Sequence, residues 1–133
     1  MSRQVVSPTR TLSGEITPPG DKSISHRALM LASLATGRSE IRGLSSGLDV
    51  LATMQIMHQL GAVIESDGEV VRVVGSGKLS SSSSPLDCGN SGTTMRLMAG
   101  ICSGIAGHHV LIGDASLSKR PMDRVAVPLG KMG

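Results

Sequence analysis

The chain has 133 residues, a formal net charge of +3 and no Phe, Tyr or Trp. That length fits one domain or part of one. So small a charge does not argue for nucleic acid, and the absence of aromatic rings excludes base-stacking platforms.

In chain order, residues 1–10 read as a short strand or loop, and Thr11–Thr17 alternates in a way that predicts a strand. No apolar stretch in Met1–Arg10 marks a secretory signal. Pro18-Pro19-Gly20 stops the strand. The segment Pro18–Arg27 then combines a stiff Pro pair, a Gly, Lys22, the hydroxyls of Ser23 and Ser25, and Arg27. Ile24, Ala28, Leu31 and Ala35 form an apolar stripe at helical spacing, which predicts a helix to about Ala35. Asp21 and Ser23 are both candidates for its cap, and either puts Lys22 at the helix mouth. Ser23 and Arg27, four apart, share one face. Thr36-Gly37 is expected to close the helix.

Ser39–Arg42 is a short strand candidate. Ser45-Ser46-Gly47-Leu48-Asp49 supplies cap chemistry for a second helix through Leu60, with Val50, Met54 and Met57 as its core stripe. Asp67-Gly68 between β-branched runs predicts a hairpin with a type I′ turn. Gly75–Pro85, with the run Ser80–Ser84, reads as a solvated loop. A third helix is expected over Thr93–Ser103, a buried strand over Gly107–Gly113, and a last helix with Pro121 at its first position. Helices alternate with strands, so the class is α/β or α+β. An ending without a strand to receive the last helix predicts a fragment.

Three polar loops each open a helix and each carries an Arg: Gly20–Arg27, Gly89–Arg96 and Asp114–Arg120. An ordinary cap with a surface Arg is the simpler reading of any one of them. Three in one short chain point toward a shared anionic ligand, since small residues let backbone amides approach an anion. Gly20–Arg27 also echoes Gly113–Arg120 at Gly, Asp, both Ser and Arg, which chance or a repeated unit would explain. A nucleotide P-loop is rejected. Its G-x-x-x-x-G-K-[ST] pattern is not met, Asp21 precedes Lys22, and the Pro pair removes amides that phosphate would need. His26, His58, His108 and His109 show no metal spacing, and neither do Cys88 and Cys102, which read as reduced thiols of a cytosolic protein. His26 follows the Lys-Ser loop, where helix packing, a solvent role or ligand contact are the readings. Asp49 is most simply a cap. Asp87 is most simply a strand-end residue, with the orienting of an Arg as the alternative.

Taken together, Pro19–Arg27 (PGDKSISHR), Leu86–Arg96 (LDCGNSGTTMR) and Gly113–Met122 (GDASLSKRPM) resemble the 5-enolpyruvylshikimate-3-phosphate (EPSP) synthase family, in the family's order. The last motif looks more like the bacterial class II branch. The resemblance implies two similar domains built from βαβαββ units, with substrates in the cleft between them. On that basis residues 1–133 would be part of the N-terminal domain. Residues 1–20 would be its N-terminal strand segment, 21–80 a first unit and 85–133 an incomplete second one.

The resemblance further implies that Lys22 would bind both shikimate-3-phosphate and phosphoenolpyruvate, and that Ser23 and Arg27 would bind shikimate-3-phosphate. Gly92 would line the phosphoenolpyruvate pocket with Asn90 and Thr93 beside it. Arg120 would clamp phosphoenolpyruvate, with Arg96 supporting the same loop. The implied reaction needs no metal or organic cofactor. Its catalytic carboxylates belong to a C-terminal domain, so no general base is assigned here, and a complementary C-terminal fragment is an expected partner. Cytoplasmic location is expected, without membrane or nucleic-acid partners. Gly92 stands where class II members commonly carry Ala, which implies a glyphosate-sensitive complete enzyme. Two alternatives are a UDP-N-acetylglucosamine enolpyruvyl transferase-like fragment, against which Ser23 argues, and a non-catalytic anion-binding module.

Overall fold

Asp21 accepts the N–H of Ile24 at 2.7 Å and so starts helix α1, Lys22–Leu34. In the computed structural model, which describes residues 4–133, the chain continues as β1 (Thr36–Arg42), α2 (Leu48–Gln59), β2 (Val63–Ser66) and β3 (Val70–Ser76). It then forms β4 (Leu86–Asp87), α3 (Gly92–Ser103), β5 (Leu111–Ile112), one turn of 3₁₀ helix at Leu117–Lys119, and α4 (Asp123–Met132). The architecture is mixed α/β. One antiparallel sheet has the order β1-β3-β2, and β4 and β5 pair in parallel. Residues 4–20 hold no strand, against the prediction for Thr11–Thr17. Alternation marks a face, but a strand also needs an edge to pair with, and Leu12 and Ile16 stay exposed. The part of the first prediction that falls on residues 1–3 lies outside the described residues.

Helix α1 turns a different face inward from the predicted stripe. Ser25, His26, Leu29, Met30, Ala32 and Ser33 are buried, whereas Ile24 and Leu31 are 69% and 66% exposed. The helix is apolar on more than one side, so spacing alone does not choose the face. Small residues decide it. The Ser25 and Ser33 hydroxyls donate to the carbonyls of Asp21 and Leu29, which lets that side bury without unpaired groups. Strand β3 also passes so near the end of α1 that a Cβ on Gly75 would overlap the Ala32 and Ala35 carbonyls. Leu29 and Ala32 join Val50, Val71 and Val73 in one core, while Met30 joins Ile56, Met57, Leu60, Leu86 and Met98 in a second.

Four further expectations are corrected. Thr36-Gly37 does not end the helix; Ala35 caps it and Thr36 opens β1, with Gly37 opposite Gly75 in the ladder. The hairpin forms, but Ser66 pairs with Val71, so its turn centres on Gly68-Glu69. Only Gly68 has positive φ (+96°), the pattern of a type II′ turn rather than I′. Asp67 prefers to accept the Val70 and Glu69 N–H groups, which fixes it outside the turn centre. The strand predicted over Gly107–Gly113 shrinks to Leu111–Ile112 and is half exposed, because β4 offers it only two residues to pair with. Pro121 lies just outside α4, whose cap is Met122. Arg120 is extended (φ −81°, ψ 135°), as a residue before proline prefers. Among the described residues no helix is long and apolar enough to cross a membrane.

Candidate functional site

The first turns of α1, α2 and α3 link the first loop to the second, and the third loop joins the second through side-chain bonds. At the mouth of α1, Lys22 Nζ lies 2.9 Å from Asp49 Oδ2, which reaches up from the first turn of α2. Asp49 is therefore not the cap of α2; that place is held by Gly47, with no side-chain bond. Such a partly exposed pair contributes about 0.2–1 kcal/mol, so it matters more for where it holds the ammonium than for stability. The Asp49 carbonyl also accepts from Thr94 Oγ1 of α3 at 3.3 Å. One residue thus ties the Lys22 loop to the helix that follows the Gly-Asn loop. Ser23 is exposed on α1, and its carbonyl accepts from Arg27 Nη1 at 3.0 Å.

The second and third loops form one cluster. Ser91 caps α3 by accepting the Thr94 N–H at 3.1 Å, leaving the buried Gly92 at the helix opening with Thr93 half-buried beside it. Asn90 bridges two partners: its Nδ2 donates to Asp114 Oδ2 at 2.6 Å, and its Oδ1 accepts from Arg120 Nη2 at 2.9 Å. Arg96 spends its guanidinium on backbone, donating to the carbonyls of Gly92 at 3.2 Å and Pro121 at 3.0 Å. A Cβ on Gly92 would lie 2.6 Å from Arg96 Nη1 and 3.3 Å from Arg120 Nη1, so both arginines crowd this one bare residue. Asp87 accepts the Gly89 N–H at 2.8 Å rather than orienting an Arg.

The echo between Gly20–Arg27 and Gly113–Arg120 extends to geometry. Asp114 Oδ1 accepts the Leu117 N–H at 2.7 Å, as Asp21 accepts that of Ile24, and the Ser118 N–H reaches the Asp114 carbonyl as Ser25 reaches Asp21. The copies part only where Pro121 ends the second after one turn. The Leu117 N–H, the Asn90 amide, the Ser116 N–H and the nearby Arg120 charge, in that order, hold the Asp114 carboxyl below its ordinary range against a smaller opposing effect of burial.

Two groups thus emerge, Lys22 with Asp49, and Gly92 with Asn90, Arg96, Asp114 and Arg120. Among the described residues no hydrogen bond or ion pair joins Ser23 or Arg27 to the second group. Sequence reasoning missed Asp49 as a link, Asp114 as the partner of Asn90, and Thr94 altogether. A carboxylate four residues past a Ser-rich turn was the only available signal for the first. Chemically, the arrangement offers a lysine, two arginines near a bare glycine, and helix-opening amides, a set suited to phosphate and carboxylate oxygens.

Such a frame, mixed α/β with cation-bearing helix openings, suits anionic groups. Residues 6–133 match the family model for EPSP synthase (3-phosphoshikimate 1-carboxyvinyltransferase), and the chain belongs to that family. It is 47% identical to the 3-phosphoshikimate 1-carboxyvinyltransferase of Geobacter metallireducens, over 100% of this chain and 32% of the relative. It is 51% identical to that of Streptococcus thermophilus, over 92% of this chain and 29% of the relative. An EPSP synthase structure from Acinetobacter baumannii superposes with a TM-score of 0.86 at 46% identity, covering 90% of this chain and 28% of that one. The chain spans about a third of the length of the curated relatives it matches.

Proposed function

We propose that this chain is the substrate-binding first part of an enzyme that transfers the carboxyvinyl group of phosphoenolpyruvate to the 5-hydroxyl of shikimate-3-phosphate. The products are EPSP and phosphate. One observation carries the reading: the Lys22 mouth is coupled, through Asp49 and Thr94, to the opening of α3, where Gly92 faces Arg96 and Arg120. Two anionic substrates that must meet need cations held at a fixed separation, and arginine offers each a planar fork.

In this reading Lys22 serves both substrates. Ser23 and Arg27 hold shikimate-3-phosphate from α1. Gly92, Asn90 and Thr93 line the place of phosphoenolpyruvate. Arg120, already braced by Asn90, grips it, while Arg96 holds the backbone that positions Gly92. The acid–base groups come from a complementary C-terminal part that forms the opposite wall. Residues 1–20, 21–80 and 85–133 of this chain are the N-terminal segment, first unit and incomplete second unit of the N-terminal domain. Two free and buried thiols are in keeping with a cytoplasmic setting.

Calorimetric titration of shikimate-3-phosphate into the chain tests this. Lys22→Ala is expected to weaken binding at least about tenfold, the usual loss for a charge-assisted contact, with the helical circular-dichroism signal kept. Equal affinity in the two proteins overturns the assignment. Binding without turnover, even after a C-terminal part is added, would identify an anion-binding module instead.

A further inference from the structure

Beneath the loops described above runs a buried polar chain of which the substrate reading uses only Thr94. His26 of α1, Thr53 of α2 and Thr94 of α3 have no exposed surface. His26 Nδ1 lies 2.7 Å from Thr53 Oγ1, and Thr53 Oγ1 lies 2.8 Å from Thr94 Oγ1. Thr94 Oγ1 lies 2.7 Å from Ser91 Oγ and 3.3 Å from the Asp49 carbonyl. His26 Nε2 is buried with no partner among the described residues.

We infer that His26, Thr53 and Thr94 form a positioning triad that locks the mouths of α1, α2 and α3 together and so sets the separation of Lys22 from Gly92. Each member lies within about one turn of the group it places. Lys22 precedes His26 by four residues, Asp49 precedes Thr53 by four, and Gly92 precedes Thr94 by two. Apolar residues of similar size would fill the same space without leaving a bare nitrogen, so packing does not account for the set. Directional bonds do what packing cannot: they fix the rotation of each helix about its axis.

Proton accounting gives the triad a direction. The Asp49 carbonyl only accepts, and Thr94 is its nearer hydroxyl, at 3.3 Å against 3.5 Å for Thr53. The consistent order is Nδ1–H of His26 to Thr53, Thr53 to Thr94, and Thr94 onward to Ser91 or Asp49. That order leaves Nε2 as a bare lone pair. The reverse order would bury an unpartnered N–H, the rarer and costlier case. The imidazole is therefore neutral with its proton on Nδ1. Burial pushes its pKa down; Asp49 across on α2 opposes this, while Lys22 and Arg27 on its own helix add to it.

Nitrogen-15 NMR of the full chain tests the triad without reference to turnover. His26 is expected as the Nδ1–H tautomer. Thr53→Val should remove the acceptor of the Nδ1 proton and so shift the His26 ring nitrogens and the backbone amides of both Lys22 and Gly92, and Thr53→Ser should restore all three signals. The consequence for ligands rests on the substrate reading above: Thr53→Val should weaken shikimate-3-phosphate binding about tenfold, and Thr53→Ser should not. An Nε2–H tautomer in the unsubstituted chain overturns the triad, which keeps it testable even if Thr53→Val does not fold. So does a Thr53→Val spectrum in which His26 changes while Lys22 and Gly92 stay still. The expected amide pattern without shikimate-3-phosphate binding would uphold the triad and sink the substrate reading alone.

Discussion

Gly92 illustrates how one missing side chain organises its surroundings. Its absent Cβ leaves room for the Arg96 and Arg120 guanidinium groups to converge, and Arg96 uses that room to hold the Gly92 and Pro121 carbonyls. A methyl at that position displaces Arg96 first, since its Nη1 lies 2.6 Å from the added atom. On the proposed function, Gly92→Ala in a full-length enzyme carrying this chain should raise KM for phosphoenolpyruvate and weaken inhibition by glyphosate. An unchanged inhibition constant between the two proteins refutes this. Asp114 supports a second expectation. Its carboxyl is held below the ordinary 3.8, so the folded state binds its proton less readily than the unfolded one. The Asn90 bridge then contributes fully above pH 3.8 and is lost as pH falls through the lower folded value. Acid titration followed by the Asn90 side-chain amide signal should show that loss, and Asp114→Ala should show the released signal at every pH. The three loops and their arginines were legible from residue type. Asp49 and Thr94 were not, because their roles depend on three helices meeting, which no local pattern records.

At the scale of elements, capping chemistry was legible at Asp21 but misread at Asp49, since α2 starts at Gly47 with no side-chain bond. Asp21, Ser91 and Asp114 each accept the N–H three residues on, and each lies in a loop the sequence marks with Gly, Ser or Asn. Helix faces were harder. The predicted α1 stripe shares its period with the buried face, and the choice between them fell to Ser25, Ser33 and the close passage of Gly75. That passage gives an element-scale prediction. Gly75→Ala forces β3 away from the last turn of α1, where the obstructing atoms are carbonyl oxygens and not flexible side-chain ends. It should destabilise the chain by about 1–3 kcal/mol, the usual cost of overpacking, measured as a shift in the urea midpoint. A midpoint within error of the parent protein would show that β3 and α1 are not packed this closely.

For the molecule as a whole, burial is uneven in a way that bears on activity. Two cores sit between α1, α2, α3 and the sheets, yet Ile24, Leu31 and Leu34 are exposed on α1 and α4 has no buried residue. Exposed apolar positions scattered singly need no explanation, but Leu31 and Leu34 share one groove with Met30, Leu97 and Ile101 between α1 and α3. The same incompleteness holds for the chemistry. Lys22, Arg96 and Arg120 supply cations, and the carboxylate nearest Lys22 is already committed to it. Addition of a hydroxyl across the enol double bond needs a group free to take one proton and deliver another, within hydrogen-bond reach of the reacting atoms. Asp49 is paired with Lys22, Asp114 with Asn90, and His26 is buried in its triad. The chain supplied with both substrates should therefore release no phosphate, while shikimate-3-phosphate still binds. Phosphate release measured with the purified chain, abolished by Lys22→Ala, would refute this and require an acid–base group within these residues. Release that begins only when a C-terminal part is added would locate that group across the cleft.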